Sequence, residues 1–303
     1  MYVGTKAFIE YSLARFLLGA FATLPHQTSY KVAAIVARLG YTIARRQREA
    51  GMRNLQLALP DLSDKQRRQI LRSVFENLGR LLVEFSRFPK LTKKNISQLV
   101  EYEGFDNYLE GYRRGKGILY LTAHIGAWEL ASFSHSVYGY PLKHLVRPID
   151  NSMIDDLITS FRTSAGNQVI QRNDAAREVL KALSKNQAIG ILMDQNTTRE
   201  EGIFTNFFGV PAATTPGLAT FAIRSGAAVI PAYIRWDNAR KRHILRFEAP
   251  LDLINSGDRR TDIIENTKMF NEVLEGFIRR FPEQWLWIHR RWKTRPEGDP
   301  SLY

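Results

Sequence analysis

The sequence contains no cysteine. That excludes disulfides, thiolate metal sites and a cysteine nucleophile, and it fits a reducing compartment. It has no internal repeat and no low-complexity tract, so a repeat architecture is excluded too. Acid is scarce beside base: 43 Lys+Arg stand against 30 Asp+Glu, a net charge of +13 with a pI near 9.9. A surplus of that size implies a polyanionic partner, whether nucleic acid, an anionic membrane surface, a phosphorylated lipid or an acidic protein. A long apolar run is missing as well. The N-terminal stretch MYVGTKAFIEYSLARFLLGAFATLPHQTSY carries Lys6, Glu10 and Arg15, and its longest charge-free window, Phe16 to Tyr30, contains Pro25. A free-standing membrane span needs about 20 apolar residues. No small-x-small cleavage site follows a clean apolar region, so this is not a simple secretory signal. The stretch reads as an amphipathic or monotopic helix lying on a membrane. A short or tilted span and a merely packed helix stay open as alternatives.

What is present is a chain of 303 residues, 44% of them hydrophobic, enough to bury a substantial core. That length suits one α/β domain, or a core with a helical extension. Residues 1–104 read as an N-terminal helical, membrane-associating region. KVAAIVARLGYTIARRQREAGMRNLQLAL keeps apolar residues at helical spacing and holds the basic cluster Arg45, Arg46, Arg48 and Arg53. Ser63 is a plausible cap for a helix that Pro89 closes. From 105 to 303 the chain reads as an α/β catalytic domain. β-like runs over Ile118–Ala123, Leu145–Ile149, Ala188–Met193, Ala228–Trp236 and His243–Ala249 alternate with helical patterns near 127–137, 151–164, 174–185, 214–225 and 261–281. This alternation predicts a mixed, mostly parallel central sheet flanked by helices.

The apolar run from Ile118 stops abruptly at His124, and Glu129 follows in what should be the first turns of a helix, with Gly126 permitting a tight turn. A carboxylate bonded to one imidazole nitrogen fixes the tautomer and raises the basicity of the other. The free nitrogen can then take a proton from a hydroxyl as it attacks an acyl carbon. Taken alone, a strand-end histidine is usually structural. A metalloprotease reading needs two histidines four apart around a glutamate, and none is present here. Later strands strengthen the acid/base reading. VRPIDN sets Arg147 after one strand, followed by Asp150 and Asn151, and MDQN sets Asp194 and Gln195 after another. Carboxyl ends of strands in an open α/β sheet line the ligand crevice. Arg162 falls late in the next helix, where a solvated position is the plainer reading, and Asp194 is as easily a turn cap. Phe204, Phe207, Phe208 and Val210 form an apolar wall, either core or groove. Thr214 or Thr215 can cap a helix starting near Pro216. From Arg279 to Arg295 there are six Lys/Arg against one acid, Glu283, interleaved with Trp285, Trp287 and Trp292. Such mixtures suit a membrane interface or single-stranded nucleic acid.

Taken together, HIGAWE, VRPIDN, MDQN, FFGVPAATTPG and QWLWIHRRWKTRPEG, in this order, resemble the late acyltransferases of lipid A biosynthesis. This is the lauroyl/myristoyl transferase family within the lysophospholipid acyltransferase superfamily. The resemblance runs from about residue 5 to the C-terminus. It implies a catalytic histidine at His124 with Glu129 as its acidic partner, and further active-site residues at Arg162 and Asp194. Arg147, Asp150, Asn151, Gln195, Arg290 and Arg291 are the expected substrate-binding residues. It implies transfer of a fatty acyl chain from acyl carrier protein to a hydroxyl of a Kdo-bearing lipid A precursor, on the cytoplasmic face of the inner membrane. No metal, no cofactor beyond the acyl-acyl carrier protein co-substrate and no nucleic acid are expected. One departure is Ala127, where many members carry Asn; its methyl makes no hydrogen bond. The alternatives are acyl transfer to another glycolipid or phospholipid, of the phosphatidylinositol mannoside type or from acyl-CoA, and a basic, non-catalytic binding protein.

Overall fold

The computed structural model describes residues 4–171 and 175–303. The chain opens with four helices: α1 (Thr5–Thr23), α2 (His26–Ile43), α3 (Arg45–Ala58) and α4 (Asp64–Ser86). Strand β1 (Val100–Glu103) and helix α5 (Phe105–Arg113) follow, then β2 (Ile118–Thr122), α6 (Trp128–Val137), β3 (Leu142–Val146), α7 (Ser152–Thr163) and β4 (Gln168–Gln171). Next come α8 (Ala175–Leu183), β5 (Ala188–Leu192), the pair β6 (Ile203–Phe207) and β7 (Val210–Thr214), α9 (Gly217–Ser225), β8 (Ala228–Asp237), β9 (Arg242–Phe247) and α10 (Arg259–Arg280). The helix expected from 174 is described from Ala175, and residue 174 lies outside the described residues.

Seven strands form one sheet in the order β1-β9-β8-β2-β5-β3-β4. Every neighbouring pair is parallel except β8 with β9. The expected α/β class with a mostly parallel sheet is what the chain adopts. Parallel strands bury both faces, so they read as continuous apolar runs rather than alternations. β2 does so: all but Thr122 of its residues are buried. One face, carrying Leu119, Leu121, Ile189, Ile191 and Val229, packs with residues of α8, α9 and α10 and with the three C-terminal tryptophans. The opposite face, carrying Ile118, Tyr120, Leu142, Ala188 and Ile230, packs with Leu130 and Phe133 of α6 and with Tyr108 of α5. Leu55 of α3 and Leu71 and Val74 of α4 belong to the first core. The boundary drawn at 104 leaves β1 on its N-terminal side, although β1 is a strand of this sheet.

Ser63 caps α4 in a full capping box with Gln66. Two expectations shift. The strand expected over Leu145–Ile149 runs over Leu142–Val146, because Pro148 has no N–H for a ladder and polar Lys143 and His144 sit inside the strand. The apolar wall around Phe204–Val210 is the β6–β7 hairpin, whose two loop residues Phe208 and Gly209 both take positive φ. Neither Thr214 nor Thr215 is the N-cap of α9, a position that Pro216 takes; Thr214 ends β7.

Candidate active site

His124, Asp194 and Arg147 follow the carboxyl ends of β2, β5 and β3, which are adjacent in the sheet. The turn after β2 is held tightly. Gly126 has φ +59°, and a Cβ there would lie 2.0 Å from Ile234 O, so no other residue fits without moving β8. Gly126 N–H donates to Gln284 O, and Leu286 N–H donates to His124 O. The segment after α10 therefore clamps the histidine turn from above.

The imidazole meets Asp194. His124 Nδ1 lies 2.8 Å from Asp194 Oδ1, and the His124 backbone N–H donates to Asp194 Oδ2 at 2.9 Å. Trp285 Nε1–H donates to the same Oδ2 at 2.7 Å. The carboxylate is 1% exposed. Burial alone would raise its pKa; the His124 ring and these hydrogen bonds offset that and hold it at about 2. An ionised carboxylate only accepts, so Nδ1 carries the proton that faces it, and Nε2 is left free of the carboxylate. Gln195 Nε2 lies 3.3 Å from that free nitrogen, and the Trp128 ring stands edge-on to the imidazole at 5.1 Å between centroids.

Glu129 was expected as the acidic partner of His124; the structure puts Asp194 in that place and pairs Glu129 with Arg162. Glu129 binds Arg162 through two hydrogen bonds, Nε to Oε2 at 2.9 Å and Nη2 to Oε1 at 2.5 Å. The reason is helical geometry. Glu129 lies in the first turn of α6 and faces the last turn of α7, whereas Asp194 is delivered by the strand next to β2. Burial raises the Glu129 pKa, yet the Arg162 fork brings it below the usual carboxylate value. The His144 and His124 rings add to the same lowering.

The expected binding residues divide. Arg147 and Arg290 line a polar groove with Arg46, Asn196, Thr197, Glu201, His289 and Lys293. The groove thus holds four cations, Arg46, Arg147, Arg290 and Lys293, and one carboxylate, Glu201. Asn196 holds the groove in place: its N–H donates to His289 Nε2, and its side chain is paired with Thr294. Burial holds the His289 ring down at about 4. Asp150 is exposed in the turn before α7. Asn151 does another task than substrate binding: its Oδ1 caps α7, and its Nδ2 donates to Ala7 O and Glu10 Oε2 of α1. Arg291 is fully buried and donates to Ala213 O and Thr214 Oγ1, tying the C-terminal segment to β7. Trp285, Trp287 and Trp292 are buried too, so their rings are core rather than a membrane interface. A second, largely apolar cleft starts at Trp128, Glu129 and Arg162 and runs beneath α6 past Leu142, Gly190, Leu192 and Phe247. Sequence reasoning missed Trp285 as the second support of Asp194, and Arg46 and Lys293 in the groove. Local pattern marks Arg46 only as part of a basic cluster, and Trp285 and Lys293 only as part of an aromatic-basic run; their partners lie far along the chain.

The profile of the family described as bacterial lipid A biosynthesis acyltransferase matches residues 4–294. A lipid A biosynthesis lauroyltransferase of Escherichia coli (strain K12) is 30% identical over 286 residues, which is 92% of this chain and 90% of that protein. A lipid A biosynthesis palmitoleoyltransferase of the same organism is 28% identical over 300 residues, 97% of this chain and 95% of that protein. A lipid A biosynthesis myristoyltransferase, also from that organism, is 23% identical over 272 residues, 89% and 83% of the two chains.

Proposed function

The chain belongs to the bacterial lipid A biosynthesis acyltransferase family and is an O-acyltransferase of the lauroyl/myristoyl type, and we propose that His124 is its general base, held by Asp194. The donor in this reading is acyl carrier protein and the acceptor a hydroxyl of a Kdo-bearing lipid A precursor. The observation that carries it is an imidazole whose Nδ1 is bound to a buried carboxylate at the carboxyl edge of the sheet, with its Nε2 turned towards Gln195.

A sugar hydroxyl is far too weak an acid to ionise at neutral pH, so its proton must leave as its oxygen attacks. His124 Nε2 takes that proton while the oxygen bonds to the thioester carbon. The tetrahedral intermediate then collapses, the C–S bond breaks, and the imidazolium returns the proton to the departing thiolate. Charge on the carbonyl oxygen needs a fixed positive partner in a dry site. Arg162, oriented by Glu129 at the head of the apolar cleft, is our candidate. The groove with Arg46, Arg147, Arg290 and Lys293 suits the phosphates and carboxylates of the acceptor.

Membrane association at the cytoplasmic face completes the reading. Among the described residues no helix is long and apolar enough to cross a membrane. Phe8, Ile9, Leu13 and Phe16 of α1 and Ile35, Val36, Leu39 and Ile43 of α2 are nevertheless exposed. Such faces bury apolar area into a lipid interface while Lys and Arg meet anionic headgroups. The test is acyl transfer by detergent-solubilised protein, offering charged acyl carrier protein and Kdo-bearing precursor. His124→Ala should lower turnover about 100-fold or more. Full activity in that variant would remove the general-base role, and transfer from acyl-CoA alone would reassign the donor.

A further inference from the structure

Three residues form a row across adjacent strands on the sheet face that α6 covers: Tyr120 of β2, Gly190 of β5 and His144 of β3. The middle one is a glycine, and its backbone does not require it, since Gly190 is not among the residues with positive φ. A Cβ built there would meet only Leu142 Cδ1 at 3.3 Å, the end of a flexible side chain, and Lys143 O at 3.9 Å. A glycine inside a strand forgoes packing and costs entropy, and it often marks a place where something approaches the backbone closely. Gly190 has paired strands on both sides, yet it is not fully buried, because the apolar cleft reaches it.

The cleft is suited to a hydrocarbon. At its head Arg162 is held in an ion pair with Glu129. Along it stand Leu142, Leu192, Ala131 and Phe247. On one side His135 has both nitrogens engaged, Nε2 with Tyr120 Oη at 2.7 Å and Nδ1 with Tyr102 Oη at 3.0 Å. Burial brings the His135 pKa down to about 3 and that of His144 to about 4, so both rings are uncharged. Below the glycine row Leu142 and Ala188 are buried, and there the sheet face closes.

We infer that Gly190 is a specificity-determining residue: its missing side chain opens the floor of the acyl pocket, which admits the methyl end of the transferred chain and sets the length that fits. This rests on the acyltransferase reading. A side chain at 190 shortens the pocket from below, and a smaller residue at 142 deepens it.

The experiment is a competition among acyl carrier proteins charged with several chain lengths, run on wild type, Gly190→Ala, Gly190→Val and Leu142→Ala, with thermal melts beside it. A methylene in an apolar pocket is worth about 10-fold or more in kcat/KM. Gly190→Ala and Gly190→Val should therefore cut transfer of the longest accepted chain by at least about that factor relative to shorter ones. Leu142→Ala should move the preference towards longer chains. An unchanged length profile in the folded variants, or a loss equal for all lengths, would assign the glycine to packing and overturn the inference. No transfer by wild type with any chain would instead remove the acyltransfer reading on which it rests, so the two failures are distinguishable.

Discussion

At the residue scale the site is two carboxylates with separate tasks. Asp194 stands one hydrogen bond from the imidazole, and Glu129 stands behind the guanidinium of Arg162. Asp194→Asn keeps the shape but puts a donor where the Nδ1 proton must be accepted. It should favour the wrong tautomer and lower kcat by about 1,000-fold or more, and the tautomer can be read from the ring nitrogen shifts by NMR. The same residue confers acid sensitivity. Its pKa falls from an ordinary 3.8 to about 2 on folding, so its contribution is complete above about pH 4 and is lost as the pH falls towards 2. Urea unfolding between those pH values should show wild type losing on the order of 2 kcal/mol from this group, and Asp194→Asn should lack that loss. The sequence marked His124, Glu129 and Asp194 by their places at strand and helix ends, and Arg162 only through the family resemblance. It could not pair them, because a partner five residues away looks nearer than one seventy residues away until the strand order is known.

At the element scale the turn between β2 and α6 carries the site. Gly126→Ala drives a methyl into Ile234 O and should cost more than about 4 kcal/mol, seen as loss of soluble folded protein. A second junction ties the N-terminal helices to the sheet. Glu84 of α4 is fully buried between Tyr30 and His26 of α2 and His243 of β9. Burial would raise its pKa, but the two histidines hold it at about 2. This contribution too is present above about pH 4.5 and fades as the pH falls towards 2. Glu84→Gln should loosen α2 at neutral pH, read as faster amide exchange along α2 while α10 stays protected. Apolar runs and helical spacing revealed β2, β5, β8 and the helices flanking them. The edge strands β1 and β4 were illegible: VEYE and QVIQ are half polar, and only pairing on one side makes them strands.

At the scale of the whole molecule the +13 charge and the exposed faces of α1 and α2 both bear on the proposed membrane association. Binding to vesicles with anionic lipid should weaken as salt rises, and it should weaken further in Leu39→Glu/Ile43→Glu at unchanged melting temperature. Each apolar side chain taken out of the interface removes about 1.5–3 kcal/mol of burial, so sedimentation with vesicles should fall well over 10-fold. Equal binding by the double variant would leave α2 out of the membrane contact. Arg46→Ala/Lys293→Ala should raise KM for the anionic acceptor with little change in kcat, since these groups bind charge present in ground and transition states alike.

Composition, periodicity and the order of motifs were enough for the α/β class, the central strands and the basic surface, and they named His124, Glu129 and Asp194, which the structure places in one region. Those properties are local, written in consecutive side chains. Only the tertiary structure decided which carboxylate holds the imidazole, that the tryptophans of the aromatic-basic C-terminus are buried while Arg290 and Lys293 line a groove, and that a glycine in β5 lines a cleft. Each depends on contacts between segments far apart in the chain, and those contacts follow from the strand order β2-β5-β3, which no stretch of sequence contains.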